Sequence, residues 1–205
     1  RTQVMLKVQA VAALAVASGG TVAPGNSIGL LSVDGDALFE AGSHLVIESD
    51  PQGNMDMLAV GGEAVLQGGT VTLTAVGGDA PLSPEEALAL IGKRQAVVTA
   101  EDGVTGRFAA SFPQYAFLGS TLSYDADSVS IGIARNALGF ADVGQTPNQK
   151  AVGAGIEELG LGNGLYDAVA VTTDAAGLPA GYDSLSGETH ASLAAVAVND
   201  TAFIR

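Results

Sequence analysis

No cysteine and no tryptophan occur among the 205 residues, and histidine is limited to His44 and His190. Without cysteine there is no disulfide framework, no thiolate metal site and no thiol nucleophile. Two histidines so far apart in sequence argue against a structural zinc site. Aromatic residues make up only 5% of the chain, so any core is built from small and branched side chains rather than large rings. Basic residues are scarce as well: 8 Lys and Arg face 22 Asp and Glu, for a formal charge of −14. No basic patch is available to neutralise phosphates, which excludes nucleic acid as a partner and argues equally against an anionic membrane surface. No stretch reaches the ~18 continuous apolar residues of a membrane helix.

What is present is glycine, 28 residues of it, with hydrophobic residues at 47% of the chain. Short strands broken by turns give that profile. Thr70–Ala75 alternates, with Val71, Leu73 and Ala75 on one face and three Thr on the other, and Ser128–Ala134 points Val129, Ile131 and Ile133 inward. His44–Glu48, Met55–Val60 and Gln95–Thr99 read as further strands. Asp34-Gly35, Gly53-Asn54, Gly61-Gly62, Gly68-Gly69, Gly77-Gly78 and Asp102-Gly103 punctuate them. Two mainly β architectures fit: an antiparallel sandwich, or a parallel β-helix with coils of roughly 20–25 residues, about five of them before residue 136. The pattern by itself leaves both open.

Helical signals interrupt and then replace the strands. Ser83-Pro84-Glu85-Glu86 is a capping box with proline at the first helical position, and predicts a short helix over Pro84–Ile91. Beyond Ala137, Thr146-Pro147-Asn148-Gln149 is a second capping box; Val152, Ile156 and Leu159 follow on one face and Gly160 stands at the C-cap. Further helices are expected over Leu165–Val171 and from Ser186, the latter with Ala191, Ala194, Ala195, Val198 and Ala202 along one side, while Thr172–Tyr182 is broken by Gly177, Pro179 and Gly181. At the N-terminus, Arg1 and Lys7 ahead of Val8–Ala17 resemble a signal peptide, but Val4, Leu6, Val8 and Ala10 alternate with polar or longer residues, which favours a strand rung. The expected divisions are 1–18 as the N-terminal rung or signal-like segment, 19–136 as the strand-rich domain, and 137–205 as a helical connector.

Several motifs raise chemistry. Gly25-Asn26-Ser27-Ile28-Gly29 spells the nucleophile elbow of hydrolases, which requires a strand leading in and a helix leading out; here a short strand and turn follow. Asn54-Met55-Asp56-Met57-Leu58 resembles a calcium-binding nonapeptide, but Gln52 and Asn54 replace its glycines and no repeat follows. Glu85-Glu86 and Glu157-Glu158 are adjacent pairs on helices, which do not converge on one point and read as solvated faces. No residue is assigned to catalysis, to a cofactor or to a metal.

Five phrases in fixed order carry a family resemblance: Ala23–Gly29, Val60-Gly61-Gly62 through Leu66–Val71, Thr99–Phe108, Thr146–Gln149 and Leu185–Ser192. Together they resemble the C-terminal passenger region of a bacterial autotransporter. The resemblance implies a mainly β fold: the last coils and cap of a right-handed parallel β-helix over 19–136, with an autochaperone role in nucleating folding. It implies that 185–205 is the linker helix into an outer-membrane β-barrel translocator, which does not follow Arg205 in this sequence. The implied partners are upstream passenger coils and that barrel; the implied location is the cell surface or the medium, and no enzymatic activity is expected. Asn199, beside Asp200, corresponds to the position at which some such passengers are cut. Two other readings stand beside this one: a surface adhesin contacting host ligands through its threonine faces, and an esterase using Ser27.

Overall fold

The computed structural model describes residues 10–25, 27–77, 80–111 and 114–187. The N-terminal rung over residues 4–10 (all but its last residue), His190, the helix carrying Ala191 to Ala202, and Asn199 with Asp200 lie outside the described residues.

Strands recur in threes. The first turn of chain contributes β1 (Leu14–Val16), β2 (Thr21–Val22) and β3 (Leu30–Val33); the second, β4 (Ala37–Phe39), β5 (His44–Ser49) and β6 (Met57–Val60); the third, β7 (Ala64–Leu66), β8 (Thr70–Ala75) and β9 (Arg94–Ala100). A fourth opens with β10 (Val104–Gly106) and β11 (Ala109–Ser111), after which come β12 (Leu118–Tyr124) and β13 (Ser128–Arg135). Members of each triplet go to different sheets, and like members stack in parallel. The three sheets run β1-β4-β7-β10, β2-β5-β8-β11 and β3-β6-β9-β13-β12. This order is compatible with a parallel β-helix and not with a hairpin-built sandwich, since among the described strands antiparallel ladders are confined to β13, with β9 and β12, beside one isolated bridge from Ser49 to Met55. The turns are fewer than the five expected because residues 76–93 are a long insertion and the last rows are a hairpin.

Register explains the core. Inward residues stack on their equivalents one turn away: Val16 on Phe39 on Leu66, Leu31 on Leu58 on Val98 on Val129, and Leu45 on Val71. All are buried, and each side chain of this size contributes roughly 1.5–3 kcal/mol by leaving water. Phe108 meets Phe39 edge-on at 5.0 Å. The insertion carries α1 (Pro84–Leu90) with the expected Ser83–Glu86 capping box; Ile91 is its C-cap.

The described residues divide into two compact units: those up to 114 with Leu118–Arg135, and Tyr115–Phe117 with those from 136 onward. The second unit contains a 3-10 turn (Phe140–Val143), α2 (Pro147–Leu159), α3 (Gly164–Ala170), a second 3-10 turn (Ala175–Gly177) and α4 (Leu178–Leu185). Phe140 is its hub: it meets the Phe117 ring edge-on at 4.8 Å and the Tyr166 ring at 5.1 Å, and its carbonyl accepts from Tyr182 Oη at 3.1 Å. Two expectations are corrected here. Leu159 is 49% exposed; of the expected face Ile156 is buried and Val152 half-buried, and α2 also buries Gln149 and Gly153. A Cβ on Gly153 would lie 2.5 Å from the Phe140 carbonyl oxygen, so glycine sets the close approach of α2 to the hub. The Thr172–Tyr182 stretch ends in α4, because Pro179 sits in the first helical turn, where a missing N–H costs nothing.

Candidate functional site

The two ends of the strand stack differ. At the N-terminal end β1, β2 and β3, all from one turn of chain, are the outermost strands of their sheets among the described residues. Their outward amides are arranged to continue a parallel ladder. Leu14 donates to Asp36 O and Val16 accepts from Glu40, so Ala15 N–H faces the other way. Val11 already occupies the next position on β3: it bridges Val33 in parallel, donating to Ser32 O and accepting from Asp34. The far end is out of step. Among the described residues two sheets stop at the three-residue strands β10 and β11, while the third continues through β13 and β12. β13 runs against β9 with a register shift at Val129/Ser130. Tyr124 ties the hairpin down, its hydroxyl accepting from Phe108 N–H at 2.9 Å and donating to Phe108 O at 3.1 Å.

The open end is pinned by one buried carboxylate. Asp56 is fully buried. Its Oδ1 accepts from Gly29 N–H at 2.8 Å and its Oδ2 from Glu48 N–H at 3.0 Å, while its own N–H donates to Glu48 O. One side chain thus joins the loop before β3, the end of β5 and the start of β6. Gly25 lies against Asp56 Oδ1: a Cβ there would be 3.0 Å from that oxygen and would collide with the Ser27 carbonyl. Burial pushes the Asp56 carboxyl above its ordinary range, and the Glu48 and Gly29 amides pull it back. Burial likewise raises Glu48, against a Gly77 hydrogen bond, and the Asp56 charge raises it further. Glu48 is 3% exposed and its Oε2 has no hydrogen-bond partner among the described residues. On the surface of the same corner, Asp50 is lowered, mainly by the Asn54 amide, which donates to its Oδ2 at 2.7 Å.

The residues singled out in the sequence do not converge. Ser27 is exposed in a bend, and β3 rather than a helix follows it. His44 is an exposed residue at the start of β5, in register with Thr21 and Thr70. The Asn54–Leu58 motif supplies Asp56, whose oxygens both take backbone amides. Among the described residues no group of three His, Asp or Glu is placed to hold a metal ion. Glu86 closes the cap of α1. Glu157 is not simply solvated: it accepts from Phe140 N–H at 2.9 Å. Sequence reading missed the role of Asp56. The available signal was an acid between two methionines at the entry to a strand.

No family model matches the sequence. It is similar to two proteins of Serratia marcescens, each called extracellular serine protease. One is 30% identical over 236 residues, covering 95% of this chain and 22% of that protein. The other is 32% identical over 180 residues, covering 88% and 17%. The chain thus spans about a fifth of the length of the curated relatives it matches.

Proposed function

We propose that this chain is the folding nucleus at the C-terminal end of an exported autotransporter passenger, a right-handed β-helix whose level N-terminal edge templates the coils before it. The observation that carries this reading is the contrast between the two ends. The edges of β1 and β2 invite the next rung and Val11 already begins it on β3, whereas the opposite end presents no common level among the described residues. In a stack with nearest-neighbour energetics a stable end can nucleate the rest, and the Asp56 corner stabilises the rung nearest the open edge. Val11 on β3 supports the part of the N-terminal rung (1–18) that lies ahead of β1 as the start of that upstream stack. In this reading 19–136 is the autochaperone-like domain and 137–205 connects it to an outer-membrane barrel. The names of the Serratia proteins support an extracellular location. Similarity confined to a fifth of their length fits a segment that lacks the protease chemistry. Host ligands on the threonine face of β8 are the second reading, favoured by the outward row Thr70, Thr72 and Thr74.

The test is refolding of the segment that precedes this chain in its parent protein, with and without the 205-residue chain present. Acceleration is expected. Ala15→Pro with Ser32→Pro should abolish it, since both remove amides that face away from β4 and β6, and proline is tolerated on edge strands. A double variant that folds and still accelerates refolding would refute templating through this edge.

A further inference from the structure

We propose that the outer face of the β3-β6-β9-β13 sheet is a docking groove for an extended, basic peptide segment. The groove encloses about 720 Å³. Its floor is a row of residues in direct register across four strands: Ser32 beside Ala59, Ala59 beside Thr99, and Thr99 beside Ser128. All four are half-buried and short, so this face is recessed where longer side chains would fill it. At strand spacings of ~4.8 Å the row is ~14 Å long, the span of about four extended residues at ~3.4 Å each. The hydroxyls of Ser32 and Thr99 supply donors and acceptors suited to a peptide backbone laid along it, and that of Ser128, which donates to Asp125 Oδ2 at 3.4 Å, supplies an acceptor.

Charge selects the occupant. Asp34, Glu101 and Asp127 line the groove where the strands turn, all three exposed, and no Lys, Arg or His is among its lining residues. An anionic ligand would meet repulsion, and so would a second copy of a chain with formal charge −14. The floor has no aromatic platform for a sugar ring. A segment carrying Lys or Arg at alternate positions satisfies both features: small residues lie on the floor and long cationic side chains reach the carboxylates.

The experiment measures binding of a fluorescein-labelled (Lys-Ser)4 peptide and its (Glu-Ser)4 counterpart to the 205-residue chain by fluorescence anisotropy. The basic peptide should bind, less tightly as salt rises, and the acidic one should not. Ala59→Trp fills the floor without changing charge and should weaken binding by about tenfold; Thr99→Gln, a milder obstruction, gives the same readout if the first variant fails to fold. Asp34→Asn with Glu101→Gln should weaken binding more than Glu85→Gln with Glu158→Gln, which removes the same charge elsewhere. No binding of the basic peptide, equal losses from the two charge pairs, or unchanged affinity in the folded floor variant would overturn the proposal.

Discussion

The strand unit and the helical unit solve the same problem with opposite economies of side chain. The strand unit repeats small and branched residues one above another, so that Leu31, Leu58, Val98 and Val129 each contact mainly the rows before and after. The helical unit gathers scarce aromatics around one residue: Phe117, Tyr166 and Tyr182 all meet Phe140. Repetition distributes stability along an axis, while convergence concentrates it at a point. A lost side chain is therefore a local defect in the first unit and a general one in the second.

That contrast can be broken most directly at its hub. Phe140→Ala should cost the helical unit about 3–5 kcal/mol and strip hydrogen-exchange protection from α2 and α4, with the amides of β5 and β8 still protected. Equal loss in the strands would end the distinction. Asp56→Ala, which leaves the buried Glu48 amide and the half-buried Gly29 amide without acceptors, should destabilise the strand unit by about 2–3 kcal/mol. Urea unfolding followed by far-UV circular dichroism measures it, and an unchanged midpoint would contradict the role given to this carboxylate. Thr146→Ala removes the acceptor for Gln149 N–H at the start of α2 and should cost about 1 kcal/mol, lowering the helical transition alone.

The smallest effect has the opposite sign. Glu48 and Asp56 are both raised in the folded state, so their contribution is fully present below the ordinary carboxyl values of 4.5 and 3.8 and is lost as pH rises through the folded values. Glu48→Gln should therefore stabilise the protein at neutral pH, and its advantage should disappear as pH falls below 4.5. Thermal melts across that range would expose an error in sign.

Local chemistry was legible in the sequence, and distant partnerships were not. Alternation located β8 and β13 and their buried faces, and the two capping boxes located the starts of α1 and α2. Proline and glycine hid α4, because the same residues that break a helix in its middle are tolerated in its first turn. Leu159 was placed in the core by spacing, although it lies in the last turn of α2, where Gly153 had already determined the contacting face. The site was harder still. Asp56 takes its partner from Gly29, 27 residues away, and the unequal ends depend on which strands share a sheet. The second property leaves no trace in neighbouring residues, and the first leaves only an acid between two methionines, Met55 and Met57.

The hairpin of β12 and β13 has a consequence for self-association. Long parallel sheets of alanine, valine and leucine have the composition that favours fibres, since each added copy ordinarily exposes the surface on which the next one sits. Among the described residues head-to-tail addition has no matching partner face, because two sheets end one strand short of the third. Copies that meet through β1 and β2, beside the Val11 that covers β3, must therefore use the same surface on both, related by a two-fold axis, and that arrangement closes at two. The geometry that gives the stack its direction also makes any assembly through its edge finite.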